Sequence, residues 1–454
     1  MRYFNCTLGF VTVSIQVMIA FLSACSSGGN APVTTPSHQT LPSAKLIVPV
    51  NNEHLEGWLK AELVKSYQYR DTRYNYTALG AKADMATSAS ANASASTSNA
   101  TPQTNNSTGS YSTTNVQENG VDEGDLVKTE GNYIYLIRGT HFFIINKESA
   151  ESQSAIISDI DVMDTINELH LSGDRVTLVT TPYSPLKTAS TGVVSATANS
   201  TGFVSFIAQN VATTRVYNYD VSNPATPVQL SRFDFPGSLQ GSRRINNTYY
   251  FITNYRVDLP SPVYASDFYH PSNSFNREEY NLASAKASAE NLRRIEALTL
   301  DEMLPTYSQT LYTDGKAGAT TVAPIVNSGD IYIPDPANGT DMSLVISIDN
   351  SKAEPVITSS GVFSSWCQMY MSPESLYLAS SNNWAWIEPV QGIAQTTTNP
   401  EPSTALHKFA LANDGGKPVY KGSGIVTGWV NNQFSMGEYN GYLRVGTTRG
   451  GWWV

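Results

Sequence analysis

Residues 215–254 read RVYNYDVSNPATPVQLSRFDFPGSLQGSRRINNTYYFITN. An alternating apolar run around Val216 to Tyr219 meets an Asn-Pro-Ala-Thr-Pro cluster, and a second such run follows from Val228 to Phe235. Short alternation broken by Asn, Asp, Pro and Gly is the pattern of a strand, a turn and a second strand. After Gly237 comes another pair, split by Asn246 and Asn247 and ending in the aromatic run TYYFITN.

Both kinds of unit recur. A polar turn followed by an aromatic or β-branched run appears as EGNYIYLIR at 130, SGDRVTLVTT at 172, SPESLYLAS at 372 and EYNGYLRVG at 438. The strand–turn–strand unit returns as SLVISIDNSKAEPVITSSGVF at 343 and ALHKFALANDGGKPVYKGSGIV at 405. Read together they predict an all-β fold, a β-propeller of four-stranded antiparallel blades, incomplete, with about four blades and a partial one. The stretch REEYNLASAKASAENLRRIEALTLDEMLPTY interrupts the pattern, and its Ala, Leu and Glu content predicts a helical insertion at about 275–307.

Composition agrees. The chain has 454 residues, 15% of them charged, with 25 Tyr, which favours strands over helices. A net charge of -10 argues against nucleic acid as a partner, because phosphate binding needs clustered Lys and Arg.

The N-terminus carries an address. Arg2 precedes the apolar stretch LGFVTVSIQVMIAFL and then Leu22-Ser23-Ala24-Cys25, so residues 1–24 read as a signal peptide. The tetrad resembles the lipobox of bacterial lipoproteins, which implies lipidation of Cys25 and a membrane surface as one partner. Ser26, in place of Asp, implies delivery to the outer membrane if the host is Gram-negative. Residues 25–44 read as a tether and 45–84 as an N-terminal helical segment, with Leu55, Trp58, Leu59, Leu63 and Val64 on one face. Residues 85–113 are low-complexity and read as a disordered loop before a propeller domain at 114–454. With Cys6 removed and Cys25 lipidated, Cys367 stands alone among apolar neighbours and is expected to be buried.

The segments YSTTNVQENGVDEGDLVKTEGNYIYLI, VYNYDVSNPATPVQLSRFDFPGSLQGSRRINNTYYFITN and NQFSMGEYNGYLRVGTT resemble a family of secreted or lipid-anchored bacterial and archaeal β-propeller proteins, distantly related to WD-40 repeats. The likeness runs from about Tyr111 to the end. No WD dipeptide occurs, and the resemblance brings no catalytic residue or cofactor with it. Family members continue with further blades, so the ending TTRGGWWV reads as a truncated product that leaves Trp452 and Trp453 on an open edge. The alternative is a small disc that closes on itself.

Reactive motifs are scarce: His-Glu-x-x-His, Gly-x-Ser-x-Gly, Cys-x-x-Cys and the phosphate-cradling Gly loop are all absent. His141, His170 and His407 fall in strands, either isolated or converging on the channel around a metal. Glu118, Asp122, Glu123 and Asp125 offer hard oxygens suited to calcium, but not at EF-hand spacing. Three readings of these acids stay open: turn fasteners at the entry to the first blade, a calcium site, or part of a catalytic pair. An ion pair to Arg243 or Arg244 is compatible with any of them. The functional expectation is a non-enzymatic interaction or scaffold module with an envelope protein partner. A calcium-dependent ligand-binding or hydrolytic propeller is the alternative.

Overall fold

The strands form where the two repeated units place them. The computed structural model describes residues 44–80, 116–147, 155–185, 210–257, 262–270, 275–335, 337, 339–350, 354–364, 366–382, 402–412 and 416–449. The signal peptide, Cys25, nearly all of the tether, the 85–113 loop, Trp452 and Trp453 lie outside them.

Blade I consists of Val127–Glu130, Tyr133–Arg138, His141–Asn146 and Ala155–Asp161, antiparallel in chain order. Blade II is Ile166–Ser172, Arg175–Thr180, Asn210–Asp220 and Val228–Pro236. Ser238–Ile245, Thr248–Arg256, Asp341–Asp349 and Val356–Phe363 form blade III. Blade IV is Cys367–Met371, Ser375–Asn382, Ser403–Ala410 and Val419–Thr427. Blade V, among the described residues, is the hairpin Met436–Tyr439 and Tyr442–Val445. The turn markers sit between the first two strands of their blades. Gly131 (φ 53) and Gly173 (φ 54) take the left-handed conformation there, which a Cβ would disfavour.

Sheet faces pack on neighbouring sheets, so both faces of a middle blade are buried. In Thr248–Arg256, Tyr249 and Phe251 join the core shared with blade II, while Tyr250 and Ile252 join the core shared with blade IV. That two-sided burial is why YYFI, Tyr249 to Ile252, shows no alternation of apolar and polar residues. Blades I and II share a core around Phe142, Ile144, Leu169 and Leu178, all fully buried.

Two expectations need correction. The 45–84 segment is not helical throughout: Lys45–Ile47 is a strand paired with Ile331–Asp335, outside blade III, and the helix α1 spans Asn52–Gly80. The outer edge of blade III still had hydrogen-bonding groups to satisfy, and that demand overrides the local pattern. Leu55, Leu59 and Leu63 of α1 are fully buried as the helical spacing requires, and Trp58 packs on Phe363 with ring centroids 4.8 Å apart. The insertion is helical only to Met303, as α2 (Arg277–Glu296) and α3 (Leu300–Met303). Thr306–Thr313 and Lys316–Pro324 then form a hairpin that extends the outer edge of blade II. Residues 116–126 precede blade I, whose first strand begins at Val127.

Candidate functional site

Residues 117–126 form a strap that touches each of the five blades. Gln117 donates from Nε2 to the carbonyls of Gln433 (2.9 Å) and Met436 (3.0 Å) at blade V. The Tyr370 hydroxyl of blade IV donates to Glu118 Oε1 at 2.5 Å. Asp122 and Glu123 pair antiparallel with Arg244 and Arg243 on the first strand of blade III. Asp125 exchanges two backbone hydrogen bonds with Leu169 of blade II, and Leu126 O accepts from Ile137 N of blade I. The strap thus meets blades V and IV through its side chains and blades III, II and I through its backbone, in the order V to I as the chain advances.

The expected acids therefore diverge. Asp122 accepts from Lys128 Nζ at 2.8 Å and lies 3.2 Å from Arg244 Nη2. Arg243 Nη2 stands 3.4 Å from Glu123 and also donates to Gln433 Oε1 at 2.5 Å. Glu118 is held by Tyr370, while Asp125 accepts from the amide of Leu126 at 2.7 Å. Only Asp125 has the turn-fastening contact expected of the cluster. Among the described residues no group of three His, Cys, Asp or Glu side chains is arranged to hold a metal ion. The strand histidines also part company: His141 is on blade I beside Asp159 at 2.6 Å, and His407 is buried in blade IV against Ser423 at 2.7 Å.

His170 joins the strap network instead. It is fully buried, with Nδ1 3.5 Å from Asp122 Oδ2 and Nε2 2.6 Å from Ser242 Oγ. The Ser242 hydroxyl donates to Glu168. Burial would raise the Asp122 carboxyl, but its contacts with His170 and Lys128 outweigh that and hold it far below the usual carboxylate range. Arg243 is pushed down by burial against the pull of Glu123, Glu168 and Asp122. Gly124 passes so close to Glu168 that a Cβ there would stand 2.5 Å from Oε2 and 2.8 Å from its Cβ.

Aspartate, histidine and serine in this order resemble a nucleophile with its base and orienting acid. Access decides against that use: Ser242 and His170 are both 0% exposed, and the Ser242 proton is directed at Glu168. No substrate carbonyl can approach Oγ without unpacking two blades. The network can exchange protons and hold the strap in place.

A second network fastens blade V. Glu438 accepts from Ser372 Oγ (2.5 Å), Tyr377 OH (2.9 Å) and Lys408 Nζ (2.9 Å), and its amide donates to Tyr370 OH at 2.6 Å. Burial would raise this carboxyl, but the three donors win and hold it low. Sequence reasoning passed over Ser242, Glu168, Lys128, Tyr370 and Glu438. The available signal was the acidic pair Asp122-Glu123 facing the basic pair Arg243-Arg244, which an antiparallel register brings together.

Residues 111–454 match the family model of the Beta propeller domain. An uncharacterized protein of Methanocaldococcus jannaschii is 24% identical over 384 residues, covering 75% of this chain and 50% of that protein. This chain therefore spans half the length of that relative. The X-ray structure of a hypothetical selenium-binding protein from Sulfolobus tokodaii aligns over 65% of this chain and 75% of that one. At 8% identity and a TM-score of 0.17 this alignment is too loose to carry any inference.

Proposed function

The chain belongs to the β-propeller domain family, and from that premise we propose that it is a lipid-anchored interaction or scaffold module of the cell envelope. The observation that carries this reading is the strap: the inner strands on which a propeller would seat a ligand are already engaged by residues 117–126. A partner would then meet the outer surfaces of the blades, including Lys316–Pro324, the outer strand of the added hairpin, where all but Ala323 are exposed. The Leu22–Cys25 tetrad supports the anchor, and Ser26 supports outer-membrane delivery in a Gram-negative host. The calcium-dependent alternative has no arrangement of described residues in its favour.

The test has two parts. Cys25→Ala is expected to move the exported protein from the membrane to the soluble fraction, and retention on the membrane would refute the anchor. Photo-crosslinking of the full chain in intact envelopes is expected to trap a discrete protein partner. Absence of any crosslink, together with turnover in a hydrolase panel, would sink the interaction reading.

A further inference from the structure

We propose that His170 Nδ1 is a proton-binding site that sets how tightly the propeller grips its central strap. The argument is a count of protons. Glu168, Ser242, His170 and Asp122 form a line with three heavy-atom contacts: Glu168 to Ser242, Ser242 to His170 Nε2 at 2.6 Å, and His170 Nδ1 to Asp122 at 3.5 Å. Each contact needs one proton to be attractive. With both carboxylates ionised and the imidazole neutral, the line holds two: one on the Ser242 hydroxyl and one on the ring.

Their places follow from chemistry. Ser242 gives its hydrogen to Glu168, so its oxygen must accept from Nε2–H. Nδ1 is then left with a bare lone pair facing the Asp122 carboxylate, and it has no hydrogen-bond partner in this buried position. A third proton, taken from solvent, resolves the conflict. It turns the approach into an N–H···O bond from the ring to the strap. Alternatively it settles on Glu168, the hydroxyl turns to Nε2, and Nδ1–H again points at Asp122. Both arrangements bind one proton more and both tie the strap to blade II.

The surroundings admit that proton. Asp122 and Glu123 of the strap and Glu168 face Lys128 of blade I and Arg243 and Arg244 of blade III, three carboxylates against three cations. Tyr249 meets the ring edge-on, at 5.6 Å between centroids and 85° between planes, and brings no charge. The charged atom facing Nδ1 is therefore the oxygen it would bond. Asp122 keeps its charge beside Lys128 Nζ at 2.8 Å and Arg244 Nη2 at 3.2 Å, whichever form the ring takes.

The experiment uses the full chain with ¹⁵N-labelled histidine. As the pH is lowered, the His170 ring is expected to change from the neutral Nε2–H tautomer to a form with Nδ1 protonated. Over the same interval the amides of Asp122 and Glu123, corrected for intrinsic exchange, are expected to become about tenfold better protected, as a charge-assisted hydrogen bond implies. His170→Gln should abolish that pH response. If that variant does not fold, the unmodified protein still decides the matter through its ring nitrogens. A ring that keeps one protonation state across the range, or strap protection that rises equally in His170→Gln, overturns the proposal.

Discussion

Arg244 and Asp122 stand opposite one another in an antiparallel register, with Nη2 3.2 Å from Oδ2, although 122 positions separate them in the chain. Asp122 also answers Lys128, which is only 7% exposed. Removing the carboxylate strands a buried ammonium. Asp122→Ala is therefore expected to cost about 3 kcal/mol in urea unfolding. In a double-mutant cycle with Lys128→Met, most of that loss should return. Additive losses would show that the pair is not coupled.

Gly124 has no room for a side chain, because Glu168 fills the space beside it. Gly124→Ala should destabilise the protein by about 1–3 kcal/mol through displacement of the strap or of Glu168. An unchanged denaturation midpoint would place the strap elsewhere.

His407 is 2% exposed, and burial pushes its imidazole down to about 4 from an ordinary 6.5. A base with a depressed value in the folded state favours unfolding in acid. Its contribution is fully present above pH 6.5 and is lost as the pH falls through 4, because the unfolded chain takes the proton first. The loss is of order 3 kcal/mol. In His407→Gln, the difference in stability between pH 7 and pH 4 should shrink by about that amount, measured by denaturant titration at each pH. An identical acid sensitivity would refute the assignment.

Cys367 lies 3.3 Å from Ser343 Oγ and 3.1 Å from Ser364 Oγ, and burial raises its thiol despite the neighbouring hydroxyls. A chromogenic disulfide reagent should leave it unmodified in the native protein and react fully in denaturant. Rapid native labelling would mean that blades III and IV open readily.

Calcium is expected to leave the melting midpoint unchanged, since the four acids already have protein partners. A calcium-dependent rise would restore the cation reading of the cluster.

The blades were legible because two-sided burial writes a strong local pattern. TYYFITN has almost nowhere to go except a middle strand, and Gly131 and Gly173 mark turns by a conformational need that composition reveals. The strap was not legible. VQENGVDEGD has no apolar period, because its order comes from partners supplied by five blades rather than from a face of its own. The same holds for His170, whose neighbours Asp122 and Ser242 are 48 and 72 positions away by residue number. Lys45–Ile47 was missed for a related reason: a three-residue edge strand is determined by the edge it covers. Contacts of that kind leave no mark at short range.

The strap also bears on the order of events in folding. It emerges from the ribosome before any blade, yet the acceptors of Gln117 lie 316 and 319 positions downstream. Loop closure over such distances is slow, and it can come only after the intervening sheets exist. Blades I to IV can therefore collapse as neighbouring pairs while the strap waits, and its final hydrogen bonds report that synthesis has reached blade V. The segment made just before the blades is the last to be fastened, like a drawstring threaded before the cloth is sewn.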